Sequence, residues 1–289
     1  MITIQCVLDN SVLRGSKLWG EHGVSFLIET PAGRILFDTG QSGDVLVHNA
    51  DLMGIDLSRI DALVISHAHY DHTGGLERVL TLCKPGIPLF ANPDLFRDRF
   101  SGKDPQARSI GLEYSLEQLS RYVDLRLGVE PVEIVPGIWT TGVITDRSEF
   151  EGRSPSHFIR ENGEWLPDPY LDDLSLILEA RDGLVVVCGC CHAGLLNTLA
   201  HIRRTFAKPI TAVIGGTHLT SATQEDLDHA IDVLRGDGQG MAIDLYPNHC
   251  TGERAYYALA QAFGDRVRPC PAGTMLNFDD FHAAPESGG

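Results

Sequence analysis

Ser66-His67-Ala68-His69-Tyr70-Asp71-His72 places four candidate metal ligands within six residues. Imidazole and carboxylate donors suit borderline divalent ions, zinc foremost, with iron or manganese also accommodated. The stretch follows Ala62-Leu63-Val64-Ile65, which reads as a short buried strand. It precedes Thr73-Gly74-Gly75, whose small residues predict a tight turn, and then Leu76, Val79 and Leu80 at helical spacing. In an extended segment His67 and His69 lie on one side. The turn then brings Asp71 and His72 to a second, adjacent position. A lone histidine beside a helix start, with an acid near the helix N-terminus, needs no metal. Three histidines and one aspartate this close at a strand end read as ligands.

Outward from the cluster, the pattern is of strands and helices in two similar halves. Ile2, Ile4 and Cys6 alternate with polar residues, and Val24–Ile28 and Arg34–Phe37 flank the turn signal Thr30-Pro31-Ala32-Gly33, predicting a hairpin. In the second half, Leu174–Glu179 and Leu184–Cys188 flank Arg181-Asp182-Gly183 as another strand pair. Leu195, Leu199, Ile202 and Phe206 form a helical stripe, and Ile210–Ile214 a strand. Ser221 and Gln224 have capping-box spacing before the stripe Leu227, Ile231, Leu234. Met241–Leu245 and Met275–Phe278 read as strands, and Tyr256–Phe263 as a helix. Strands followed by helices in each half predict two sheets packed face to face with helices outside, an α+β architecture. The expected domain is 1–282, with insertions near 92–128 and 145–173 that shape a pocket, and a disordered tail at 283–289.

Composition narrows the function. A chain of 289 residues with 43% apolar content is long enough for one large core. Its net charge of −16 repels phosphate backbones, which argues against a nucleic-acid partner. Apolar runs such as Leu184–Cys188 are far too short to span a bilayer, so no membrane partner is expected. The first residues show no basic region followed by an apolar stretch. Seven cysteines, an odd number, make a poor disulfide framework, and a reducing cytoplasm fits them best. Gly215-Gly216 is no phosphate loop, since it lacks the lysine and the longer spacing. The expected partner is a small-molecule substrate.

The cluster resembles the His-x-His-x-Asp-His signature of the metallo-β-lactamase superfamily. The likeness extends through Glu21-His22-Gly23, Leu36-Phe37-Asp38-Thr39-Gly40, Gly189-Cys190-Cys191-His192-Ala193-Gly194, Gly215-Gly216-Thr217-His218-Leu219 and Asn248-His249-Cys250-Thr251-Gly252. Together these are similar to the dihydropterin ribofuranosylaminobenzene phosphate synthase-like branch. The resemblance implies an αββα four-layer sandwich holding two divalent metal ions. His67 and His69 would ligate one ion, completed by His192. Asp71 and His72 would ligate the other, and His249 sits where the family places its last histidine ligand.

Cys190 stands where many members carry a bridging aspartate. It is either a thiolate ligand or a small buried residue, and Asp172 or Asp173 is the alternative donor. Asp38 is either a carboxylate orienting a ligand histidine or an ordinary strand-end residue. His218 is expected either to donate a proton to a leaving group or to pack in a loop. His22 is a weaker pocket candidate. Asp71 and His218 are the expected catalytic residues. The expected function is a hydrolase using a hydroxide activated by the dinuclear metal centre on a phosphoester, ester or lactone. The alternatives are synthase or cyclisation chemistry on a pterin-like phosphorylated substrate, and iron-based redox chemistry at the same ligands.

Overall fold

A computed structural model describes residues 1–236 and 242–279. The first half supplies strands β1 (Ile2–Leu8), β2 (Ser25–Thr30) and β3 (Gly33–Phe37), helix α1 (Asp44–Met53), β4 (Ala62–Val64), short helices α2 (Tyr70–Thr73) and α3 (Leu76–Leu80), and β5 (Ile87–Ala91). The middle holds β6 (Arg99–Ser101), β7 (Arg108–Ser109), α4 (Leu116–Leu119), β8 (Val123–Leu127), β9 (Glu133–Val135), β10 (Ile138–Thr140), β11 (His157–Glu161) and β12 (Glu164–Pro167). The second half has β13 (Ser175–Ala180), β14 (Gly183–Cys188), α5 (Leu195–Thr205), β15 (Ile210–Gly215), α6 (Gln224–Gly236), β16 (Asp244–Pro247), α7 (Glu253–Phe263) and β17 (Met275–Phe278).

Two large sheets result, ordered β17-β1-β2-β3-β4-β5-β8 and β16-β15-β14-β13-β10-β9. Their facing surfaces meet in one apolar layer, where Ile4, Phe26, Ile28, Phe37 and Val64 pack with Leu176, Leu178, Val185, Val187 and Ile214. The opposite face of the first sheet buries Leu27, Leu36 and Leu63 with Leu46 of α1 and Leu76 and Val79 of α3. The opposite face of the second buries Val186 and Val213 with Leu199 of α5, Leu227 of α6 and Leu259 of α7. Helix, sheet, sheet, helix is the expected four-layer order. Strands buried on both faces read as continuous apolar runs, as β14 does. The hairpin at Thr30–Gly33 and the β13–β14 pair both form as antiparallel pairs.

Three local readings are refined. The two insertions carry paired strands: β6 and β7 from the first pair with β11 and β12 from the second in a third, four-stranded sheet, while β8 extends the first large sheet. Strands this short and polar leave little periodicity to read. The helix cap falls at Thr223 and not Ser221: Thr223 Oγ1 accepts from the Asp226 amide (3.2 Å), and Asp226 accepts from the Thr223 amide (2.8 Å). Gly74 and Gly75 have ordinary helical backbone angles. They serve close packing, since a Cβ on either would lie 2.1 Å from the Gln41 or Thr39 carbonyl. The tail expected at 283–289, and Met241, lie outside the described residues. Among the described residues no helix is long and apolar enough to cross a membrane.

Candidate metal centre

β3 runs parallel to β4 in one sheet, and β14, β15 and β16 run parallel to one another in the other, so within each sheet their C-terminal ends lie together. The turns leaving those ends hold Asp38, the His67–His72 segment, Cys190 with His192, His218 and His249. Residues more than 180 positions apart thus converge at one edge of the sandwich. Gly189 permits the approach, because a Cβ there would lie 2.2 Å from Ser66 Oγ and 2.8 Å from Asp38 Oδ2.

Two pockets of donor atoms form. His67, His69 and His192 make an imidazole pocket; Asp71, His72, Cys190 and His249 make a mixed one. Within each pocket the donor atoms lie within 4.8 Å of one another. His67 Nε2 is 3.1 Å from His69 Nδ1. His72 Nε2 is 3.2 Å from Cys190 Sγ and 3.3 Å from His249 Nε2. Asp71 Oδ2 is 3.3 Å from His249 Nε2 and 3.5 Å from His72 Nε2. Nitrogen ligands 2.0–2.1 Å from a tetrahedral ion are about 3.4 Å apart, so these spacings fit a cation between the donors. The buried Nε2 of His192 has no protein partner, which also fits a ligand.

The opposite nitrogens are held from outside. His72 Nδ1 meets Asp38 Oδ2 at 2.6 Å, and His67 Nδ1 meets Ser66 Oγ at 2.9 Å. His192 Nδ1 donates to the Gly152 carbonyl at 2.6 Å, and His249 Nδ1 meets Asn10 Oδ1 at 2.9 Å. Such contacts fix the ring and direct the other nitrogen inward. Burial, together with neighbouring imidazoles, holds His67 and His192 well below the ordinary histidine pKa, and burial does the same to His69. These rings therefore stay neutral, as ligands must. Burial also opposes a charge on His72, yet Asp38 and Asp71 raise its pKa above the ordinary value.

Asp38 accordingly orients the His72 ring, and accepts from the Ser66 amide (2.7 Å) with its other oxygen. Asp172 and Asp173 are absent from both pockets. Asp172 accepts from the Ala68 amide, between His67 and His69, and from Arg99; Asp173 accepts from the Ala193 amide, next to His192. They brace the two turns that carry the candidate donors. Burial pushes Asp172 up to about 7 and Asp173 to about 6. His218 is half-buried and packs 4.3 Å from the His192 ring. Burial lowers its pKa to about 4, and its Nδ1 has no protein partner. It also lies near Cys190 and Cys250, a third group of clustered donors. Exposed His22 reaches Asp71 Oδ2 at 3.3 Å.

Asp9, Asn10, Gly152 and Cys250 escaped the sequence reading. Asp9 accepts from the His249 amide across 240 positions, and no local spacing announces such a pair. Left-handed backbone was equally hidden. Asp38, Tyr170, Cys191, His218 and His249 all have positive φ, and among the described residues Asn162 alone does so elsewhere without being glycine. Such backbone costs on the order of 1–3 kcal/mol per residue and concentrates where function demands it.

These features define a class, and the chain belongs to the metallo-beta-lactamase superfamily, whose family model matches residues 18–190. Within it, the chain is 32% identical to the 7,8-dihydropterin-6-methyl-4-(beta-D-ribofuranosyl)-aminobenzene-5'-phosphate synthase of Methanocaldococcus jannaschii, over 96% of this chain and 97% of that one. An uncharacterised protein of the same organism is 30% identical over 89% of this chain and 94% of its own length. A solved structure described as a metal-dependent hydrolase of the beta-lactamase superfamily is 30% identical, with a TM-score of 0.83, covering 97% of this chain and 100% of that one. The superfamily binds divalent metals, and this chain has the candidate ligand groups.

Proposed function

We propose that the protein is a metal-dependent hydrolase acting on a small phosphorylated molecule, with a divalent ion, zinc foremost, in each pocket. The observation behind this reading is the set of 3.1–3.5 Å gaps between inward-facing donor atoms. Two cations about 3.5–4 Å apart supply polarisation of a reacting oxygen and acidification of water toward pH 7.

The chain's own residues do the rest. His67, His69 and His192 would hold one ion, and Asp71, His72, Cys190 and His249 the other. Asp38, Ser66, Asn10 and the Gly152 carbonyl keep these donors aimed inward. His218 is neutral at physiological pH, so its ring N–H is available to hydrogen-bond a departing oxygen. His22 and Tyr70 line the mouth beside Asp71.

A second reading is synthase chemistry on a pterin-like phosphorylated substrate. It is favoured by the near full-length likeness to the M. jannaschii synthase. Heavy-oxygen water separates the two. A panel of phosphodiesters, phosphomonoesters, lactones and thioesters, turned over by zinc-loaded protein, is expected to give product carrying the label. Inactivity on the whole panel, together with unlabelled condensation product from a ribofuranosylaminobenzene 5'-phosphate and a dihydropterin whose 6-methyl carbon carries a leaving group, released as the new bond forms, would transfer the assignment to the synthase.

A further inference from the structure

The third sheet has no counterpart in the expected architecture, and it reaches over the metal centre. Arg108 and His157 line the cavity that also contains His69, Asp71, His192, His218 and His249. Ser101 pairs with Arg108 on one side and with His157 on the other, so the three residues form one row across β7, β6 and β11. Residues paired in a row present their side chains to the same face of a sheet. Two strand spacings separate Arg108 from His157, about 10 Å between Cα atoms. The flexible arginine can close part of that gap.

The row is fastened to the centre. The Ile110 carbonyl, two residues after Arg108, accepts from the amide of Tyr70 in α2 at 2.9 Å. Arg99 of β6 bonds Asp172, which holds the Ala68 amide. The Tyr170 hydroxyl accepts from the Ser154 amide and lies 2.9 Å from His157 Nδ1. When Tyr170 gives its proton to Nδ1, the ring proton of His157 sits on Nε2, which is then a donor. Arg108 is exposed, and among the described residues its guanidinium has no hydrogen-bond or ion-pair partner. Among the described residues it is also the one arginine or lysine lining this cavity, in a chain of net charge −16.

We propose that Arg108, assisted by His157, seats a phosphate monoester carried by the substrate away from the reacting bond, and so selects phosphorylated over unphosphorylated small molecules. A guanidinium offers paired N–H donors to a phosphate, and a fixed second donor across the row sets its direction. The inference rests on the proposed action on a phosphorylated molecule. It is indifferent to whether the chemistry is hydrolysis or synthesis.

Binding tests it without turnover. Ribose 5-phosphate and ribose are titrated by NMR into zinc-loaded protein, with metal content measured in each variant. The parent is expected to prefer ribose 5-phosphate. R108A should lose about 10-fold in affinity for it, the loss of one charge-assisted hydrogen-bonding group at an exposed site, with ribose binding and zinc content unchanged. R108K should recover part of the loss, and H157Q should show a smaller one. Unchanged affinity in R108A would overturn the proposal by assigning the phosphate to the metals. So would a parent that binds both sugars equally; activity on the substrate panel, measured separately, would then still decide the function.

Discussion

The imidazole pocket and the mixed pocket share an edge of the sandwich but differ in charge. The first has three neutral rings, and the outer partners named for them are a hydroxyl and a carbonyl, Ser66 on His67 and Gly152 on His192. The second has a carboxylate, a thiol and two imidazoles, one of them backed by the Asp38 carboxylate. Negative ligands neutralise a divalent ion, whereas neutral ones leave its charge to act on what approaches. With an ion in each, the difference predicts a division of labour: the mixed pocket would retain its ion, and the imidazole pocket would present the more electrophilic one.

The largest expected effect comes from breaking either pocket. His67→Ala and Asp71→Ala should each reduce activity to background while circular dichroism stays like the parent, because the donors sit on turns outside the apolar layers. Elemental analysis should find about one ion retained by His67→Ala. Substantial turnover in either variant would remove that residue from the centre. Loss of both ions from His67→Ala would erase the asymmetry between the pockets.

His218 belongs to neither histidine-rich set, although it touches both regions through His192 and Cys190. His218→Ala should retain both ions and lose at least about 10²-fold in kcat, the low end for a proton donor. Metal depletion instead would make it a ligand. Full activity would make it a packed loop histidine.

The outer contacts sharpen the contrast more finely. Asp38→Asn keeps the shape but removes the charge behind His72. Metal affinity should fall by about 10–100-fold, the usual range for an outer carboxylate. The loss should appear as weaker retention of one ion of the two under competing chelator. Equal weakening of both would mean that Asp38 acts through Ser66, which it also contacts at 2.7 Å, and not through His72 alone.

Both pockets were legible in the sequence, and the residues around them less so. His67 to His72 form a local motif, and alternation and helical stripes traced the sheets and outer helices. Asp38 was readable as a candidate because it ends a strand. The roles of Asp172 and Asp173 were not, because a carboxylate before a strand can face a metal or a backbone amide. Only the pairing with Ala68 and Ala193 decides between them. The third sheet was invisible for a related reason. Its strands of two to five residues come from two insertions and acquire meaning only when paired.

Cys190 allows the subtlest test of the comparison. Its thiol lies 3.2 Å from His72 Nε2, inside the mixed pocket, where a softer donor favours thiophilic ions. In cobalt-loaded protein, a thiolate ligand gives an ultraviolet charge-transfer band, and imidazole and carboxylate ligands do not. The parent should show that band and Cys190→Ser should lack it, while both variants still bind two ions, since serine preserves the space and the other three donors remain. Zinc-supported activity should fall only a few-fold, but preference for cadmium over zinc should decline clearly. Cys250 is the necessary control: its Sγ lies 3.4 Å from the Cys190 carbonyl and belongs to the neighbouring donor group with His218. If Cys250→Ser abolishes the band and Cys190→Ser does not, the sulfur ligand comes from the turn after β16. The thiol contribution to the mixed pocket would then pass to Cys250. If neither variant changes the spectrum, Cys190 is a small buried residue, and the charge asymmetry rests on Asp71 and Asp38 alone.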